Sequence, residues 1–263
     1  MSFNFHRFQL LVIKDWTENK RLFFFSLLAL VGGWIILFAL TMVASHAFNP
    51  MVRQILLGFG LFAVAAVAAN QQFRSLSTVA GSIRYLHLPA STLEKILQPL
   101  TFTFLVILPA ALLVFAGTEW VMIQVTNRVY LLDPNLHLLN PIGYKDYFGP
   151  VKAYWITYAI FMAGAILFRR MVLVKTGSAL FGLLIILNIF NTYLANKTIK
   201  IGADHALNAS LFESVSIIHR ISFQRDEILL PPFWMDFFTY FIYVGIPLFC
   251  FIFSYIRLRE TEA

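Results

Sequence analysis

Six runs of apolar residues, each near the length a helix needs to cross a bilayer, divide this chain. They lie at Leu22–Ser45, Ile55–Asn70, Ile96–Gly117, Val151–Phe168, Gly177–Ala195 and Phe233–Ile256. About 20 apolar residues in helical form cross ~30 Å of hydrocarbon, where the backbone must satisfy its own hydrogen bonds. The predicted fold is therefore an all-α membrane protein of six transmembrane helices. Of the 263 residues 59% are hydrophobic and 13% charged, which leaves no polar stretch able to build a separate soluble core. Residues 1–263 read as one polytopic domain. The first run is too long for the apolar core of a cleaved signal peptide and follows a polar-rich segment. Pro50 can start the second helix ahead of Ile55. Pro99 and Pro109 predict a kink in the third.

Placing the N-terminus in the cytoplasm puts 12 of the 20 Lys and Arg in inside segments. The acidic residues Glu119, Asp133, Asp146, Asp204, Glu213, Asp226 and Glu227 then fall outside. This bias predicts cytoplasmic N- and C-termini. The net charge of +7 follows from that topology. It forms no basic run able to track nucleic-acid phosphates, so no nucleic-acid partner is expected; the bilayer is.

Catalytic patterns are lacking. His6, His46, His87, His137, His205 and His219 all fall outside the six runs, without metal-ligand spacing. The chain has no phosphate-binding Gly loop, no GxSxG and no HExxH. The lone Cys250 excludes an internal disulfide and reads as an apolar filler. Lys152 and Asp236 sit near span ends, so no charged side chain is expected deep in a span. A proton- or ion-coupled carrier usually needs one, which counts against that class. The chain is not expected to be an enzyme, to hold a metal or to carry a cofactor of its own. Uncharged polar residues do enter the spans. Asn70, Gln71, Asn188, Asn191 and Thr192 either bond between helices or line a substrate path.

Two polar segments carry helical patterning. In residues 1–21, Phe5, Phe8, Val12 and Trp16 share one helical face while Arg7, Lys14 and Glu18 fall opposite, which predicts an amphipathic interfacial helix. In residues 73–95, Phe73, Leu76, Val79, Ile83 and Leu86 recur at helical spacing. Pro89 disfavours helical geometry at Leu88 and ends that helix. Ser91-Thr-Leu-Glu94 is then a capping box that starts a new one. Within the long segment Asn196–Pro232, residues Ala206–Ile221 suggest a further short interfacial helix.

This layout resembles the ABC-2-type permease subunits, the membrane halves of ABC exporters. Tyr85-Leu-His-Leu-Pro-Ala-Ser-Thr-Leu-Glu-Lys95 is similar to an LPAS-x-x-EK element of such permeases from Bacteroidetes-type bacteria. The resemblance implies that residues 73–95 are a cytoplasmic coupling helix and elbow between spans two and three, docking a separate ABC ATPase subunit. The implied docking residues are Arg74, Ser77, Thr78, Gly81, Ser82, Arg84, Tyr85, Leu88, Pro89, Glu94 and Lys95. It also implies that residues 1–21 are a connecting helix, that a second permease copy completes the complex, and that ATP and Mg are bound by the partner. A non-transporting sensor or immunity subunit of the same architecture, or an intramembrane lipid- or peptide-modifying enzyme, are the alternatives.

Overall fold

The computed structural model describes residues 4–45, 50–77, 81, 83, 85, 87, 90–130, 143–168, 171–199, 205–209, 214–219, 225–229 and 232–262. The chain is almost entirely helical: α1 (Phe5–Ser45), α2 (Pro50–Gln72), α3 (Thr92–Phe102), α4 (Leu108–Tyr130), α5 (Phe148–Leu167), α6 (Val172–Ile199), α7 (Pro232–Tyr240) and α8 (Ile246–Glu262). Among the described residues, six helices are long and apolar enough to cross a membrane. Each overlaps one of the six apolar runs. Pro50 is the first residue of α2, where its missing N–H costs nothing.

The segment expected to form a separate interfacial helix and the first span are one continuous helix, since α1 runs unbroken for 41 residues. No Pro and no capping side chain interrupts it near Arg21, so nothing in the sequence stops the helix there.

Proline shapes two other spans, and in each the strain is absorbed the same way. A π-helical turn, Thr103–Ile107, joins α3 to α4 and ends two residues before Pro109. A second, Phe241–Gly245, joins α7 to α8 and ends two residues before Pro247. A proline ring clashes with the carbonyl four residues back and cannot bond to it; a wider turn relieves the clash. Two carbonyls freed by prolines find donors on other elements. Pro247 frees the Tyr243 carbonyl, which accepts from Trp155 Nε1 at 3.1 Å. Pro99, inside α3, frees the Lys95 carbonyl, which accepts from the Tyr85 hydroxyl at 3.1 Å.

Helix α5 is the hub. Helices α2, α8 and α6 pack on it, α2 most extensively. Small residues allow the approach: Ala65, Ala66 and Ala69 of α2 and Ala159 and Ala165 of α5 are buried. Gly164 of α5 lies against Thr176 of α6, where a Cβ would overlap the Thr176 side chain. A polar chain crosses this core: Tyr158 donates to Gln72 at 2.6 Å, and Gln72 donates to Thr103 at 2.7 Å. Helix α1 packs instead on α4, with Trp34 and Phe38 against Phe115 at 5.1 and 5.6 Å between ring centroids. Helix α6 exposes Phe181, Leu183, Ile186, Ile189 and Phe190. Such a surface suits lipid and has no counterpart on a soluble domain.

The short helix expected at Ala206–Ile221 is not formed. Strands β1 (His205–Ala209), β2 (Ser214–His219) and β3 (Arg225–Leu229) make a three-stranded antiparallel meander instead, with Asn208 opposite Ser216 and Ser216 opposite Glu227. In Ser214-Val-Ser-Ile217 apolar and polar residues alternate with a period of two, and both apolar ones are β-branched. That is a strand pattern, and the helical reading took the wrong period.

Candidate functional site

The two ends of the bundle differ in chemistry. At one end lie the start of α1, the end of α2 and the start of α3. Here the capping box forms: Ser91 Oγ accepts from the Glu94 amide at 3.3 Å, and Glu94 Oε2 accepts from the Ser91 amide at 2.9 Å. The other carboxylate oxygen reaches across to α1. Glu94 Oε1 accepts from the Asn4 amide at 2.6 Å and from Arg7 Nη2 at 3.3 Å. Two turns further along α1, Asp15 accepts from Gln98 of α3 at 2.9 Å and from Asn19 at 2.7 Å. Trp16 and Phe23 then close on Phe102, at 6.1 and 6.3 Å between ring centroids. The first turns of α1 are thus fastened to the start of α3 by an ion pair, a carboxylate–amide bond and an aromatic cluster.

Residues expected to face a partner divide accordingly. Arg74 is exposed on the 3₁₀ turn Arg74–Ser77, and Gly81 and Tyr85 are half-buried. Glu94 and Lys95 are turned inward, 0% and 3% exposed. Glu94 is spent on the cap and on α1. The Lys95 ammonium lies 5.9 Å from the Tyr85 ring centroid, and the Lys95 carbonyl holds the Tyr85 hydroxyl. These two residues hold the elbow together and offer no surface for docking. Thr78, Ser82, Arg84, Leu88 and Pro89 lie outside the described residues, as does the Ser77 side chain. Gly81, Ile83 and Tyr85 have helical backbone.

A cleft of about 870 Å³ opens beside this elbow, between α1 and α2. Its floor is apolar, with Leu22, Leu30, Leu37, Ala63 and Val67 among its walls. Toward the elbow the lining turns polar, with Lys14, Asp15, Glu18, Gln71, Arg74 and Gln98. Trp34, also in the lining, lies against Gly60, where a Cβ would overlap the indole. Of the residues expected to line a path, Gln71 is in the cleft wall and Asn70 half-buried beside it. Asn188 is exposed and Thr192 half-buried on α6, and neither lines the cleft. The Asn191 side chain lies outside the described residues. The four whose side chains are described do not form one stripe.

The opposite end holds what the sequence did not reveal. Arg53 of α2 and Glu119 of α4 form an ion pair at 2.8 Å, with side chains 3% and 2% exposed. Tyr147, just before α5, donates to the second Glu119 oxygen at 3.3 Å. Burial and the Glu119 carboxylate push the Tyr147 hydroxyl up to about 12, so it stays protonated and remains a donor. The two charges sit near the ends of their spans, yet packing seals the pair inside the bundle, a burial that sequence spacing does not show. The pair escapes detection because its members lie 66 residues apart at the ends of apolar runs. Both Glu119 oxygens are engaged, which is the arrangement of a helix-to-helix clamp.

Among the described residues no cluster of His, Cys, Asp or Glu is arranged to hold a metal ion. No family model, curated protein or solved structure matches the chain.

Proposed function

We propose that this chain is the membrane permease subunit of an ABC-type exporter, driven by a separate ATPase subunit that docks on residues 73–95. The observation that carries this reading is the fastening of the elbow. Glu94 joins the capped start of α3 to the first turn of α1, so force applied to residues 73–95 would reach two spans together. A lipid-surface connector would have no need of a carboxylate held by two backbone amides and a guanidinium. Exposed Arg74 is the leading contact for an acidic groove on the ATPase, while Glu94 and Lys95 brace the elbow from within. ATP and Mg belong to that partner, and a second copy of the permease completes the complex. The termini lie in the cytoplasm in this reading.

The test is co-expression with an ATP-binding-cassette subunit, followed by copurification and ATPase assays in vesicles. Arg74→Glu is expected to lower copurification at least tenfold, with far-UV circular dichroism showing the chain still folded. If the wild-type chain captures no such subunit and leaves its ATPase rate unaltered, the reading fails. Capture with coupled hydrolysis but without export in vesicles would favour the non-transporting alternative.

A further inference from the structure

The cleft between α1 and α2 has the dimensions and polarity of a bound lipid. From Leu22 to Leu37 its α1 wall extends 15 residues, or about 22 Å at 1.5 Å per residue, longer than one ~15 Å leaflet of hydrocarbon. Its volume of about 870 Å³ falls within the range of small-molecule sites. Ala29, Ala63 and Val67 line it and are themselves exposed, so the cleft is open along its side. At the elbow the apolar walls give way to two cations, Lys14 and Arg74, and two anions, Asp15 and Glu18. The polar end is therefore balanced in charge. An anionic head group would gain no net attraction there, whereas a head group carrying both signs meets a partner for each.

We propose that this cleft binds one zwitterionic phospholipid. Its phosphate sits between Lys14 and Arg74, its ammonium faces Glu18, and an acyl chain lies along Leu22–Leu37 down to the Trp34–Gly60 contact. Asp15 is already held by Asn19 and Gln98 and sets the floor of the head-group site. Arg74 is also the docking contact of the proposed function, but lipid retention is read on the purified single chain, where no ATPase subunit competes for it.

Native mass spectrometry of the purified chain in mild detergent tests this, with dioleoyl-phosphatidylethanolamine and dioleoyl-phosphatidylglycerol added at equal concentration. One phosphatidylethanolamine retained per chain, in excess over phosphatidylglycerol, is the expected result. Ala29→Trp and Ala63→Trp fill an open part of the cleft and should each abolish retention with the melting temperature preserved. Should either variant fail to fold, Lys14→Ala serves: it should weaken retention about tenfold, the loss of one charge-assisted contact. Retention untouched by Lys14→Ala and by the filling variants would overturn the proposal. So would preference for phosphatidylglycerol, or a lipid-free dimer that Ala63→Trp dissociates, which would make the cleft a seat for a second copy.

Discussion

Glu94 and Glu119 are both sealed within the bundle, yet they are held by different kinds of partner. Glu94 is surrounded by groups that a helix start supplies: the Ser91 amide, the Asn4 amide at the head of α1, and an arginine that is itself one-third exposed. Glu119 is held by side chains from elsewhere in the chain, the buried guanidinium of Arg53 on α2 and the phenol of Tyr147 just before α5. Removing the Glu94 carboxylate leaves Arg7 able to turn to water. Removing the Glu119 carboxylate leaves Arg53 charged in a place water does not reach. Carboxylates equally buried should thus differ widely in how much stability depends on them, because the cost of breaking a pair is set by the partner left behind.

The largest effect should follow from Glu119→Ala. Stranding Arg53 is expected to cost about 3–5 kcal/mol, read as a shift in denaturant midpoint for the detergent-solubilised chain. The double variant Arg53→Met/Glu119→Leu should recover most of that loss. If the double variant is as unstable as the single, the stranded charge is not the cause. Glu94→Ala comes next, at about 2 kcal/mol, since it removes the capping box and the tie to α1 but frees a cation that can reach solvent. Accelerated amide exchange should be confined to the first turns of α1 and α3; exchange spread evenly over all spans would contradict the elbow's local role. The smallest effect belongs to Tyr85→Phe. It leaves the Lys95 carbonyl, already orphaned by Pro99, without its donor, at about 1 kcal/mol. A Tyr85→Phe loss equal to that of Glu119→Ala would erase the distinction between the two ends.

The same contrast explains how much could be read ahead of the structure. The capping box was legible because Ser91 and Glu94 are three residues apart and their geometry is fixed by one helical turn. The six spans were legible because lipid imposes a length and composition on each run separately. Strands β1 and β2 were missed at Ala206–Ile221, where a period of two was taken for helical spacing. The Arg53–Glu119 pair had no local signature, since each charge sits at the edge of an apolar run where a snorkelling residue is ordinary. Gln71 and Asn188 were grouped by polarity, but α2 and α6 carry them to different surroundings.

What the sequence determined by itself was therefore whatever a single helix can express: its span, its proline interruptions, its cap and its apolar surface. Tertiary structure decided the use of these parts. It set Tyr85 on the carbonyl freed by Pro99 and Trp155 on the one freed by Pro247. It turned Glu94 inward, paired Arg53 with Glu119, and left α1 and α2 parted along a cleft with a charge-balanced end. The physical reason is range. Helix formation and partition into lipid depend on neighbours within a few residues, whereas desolvated charges and freed carbonyls must find partners that only packing brings near.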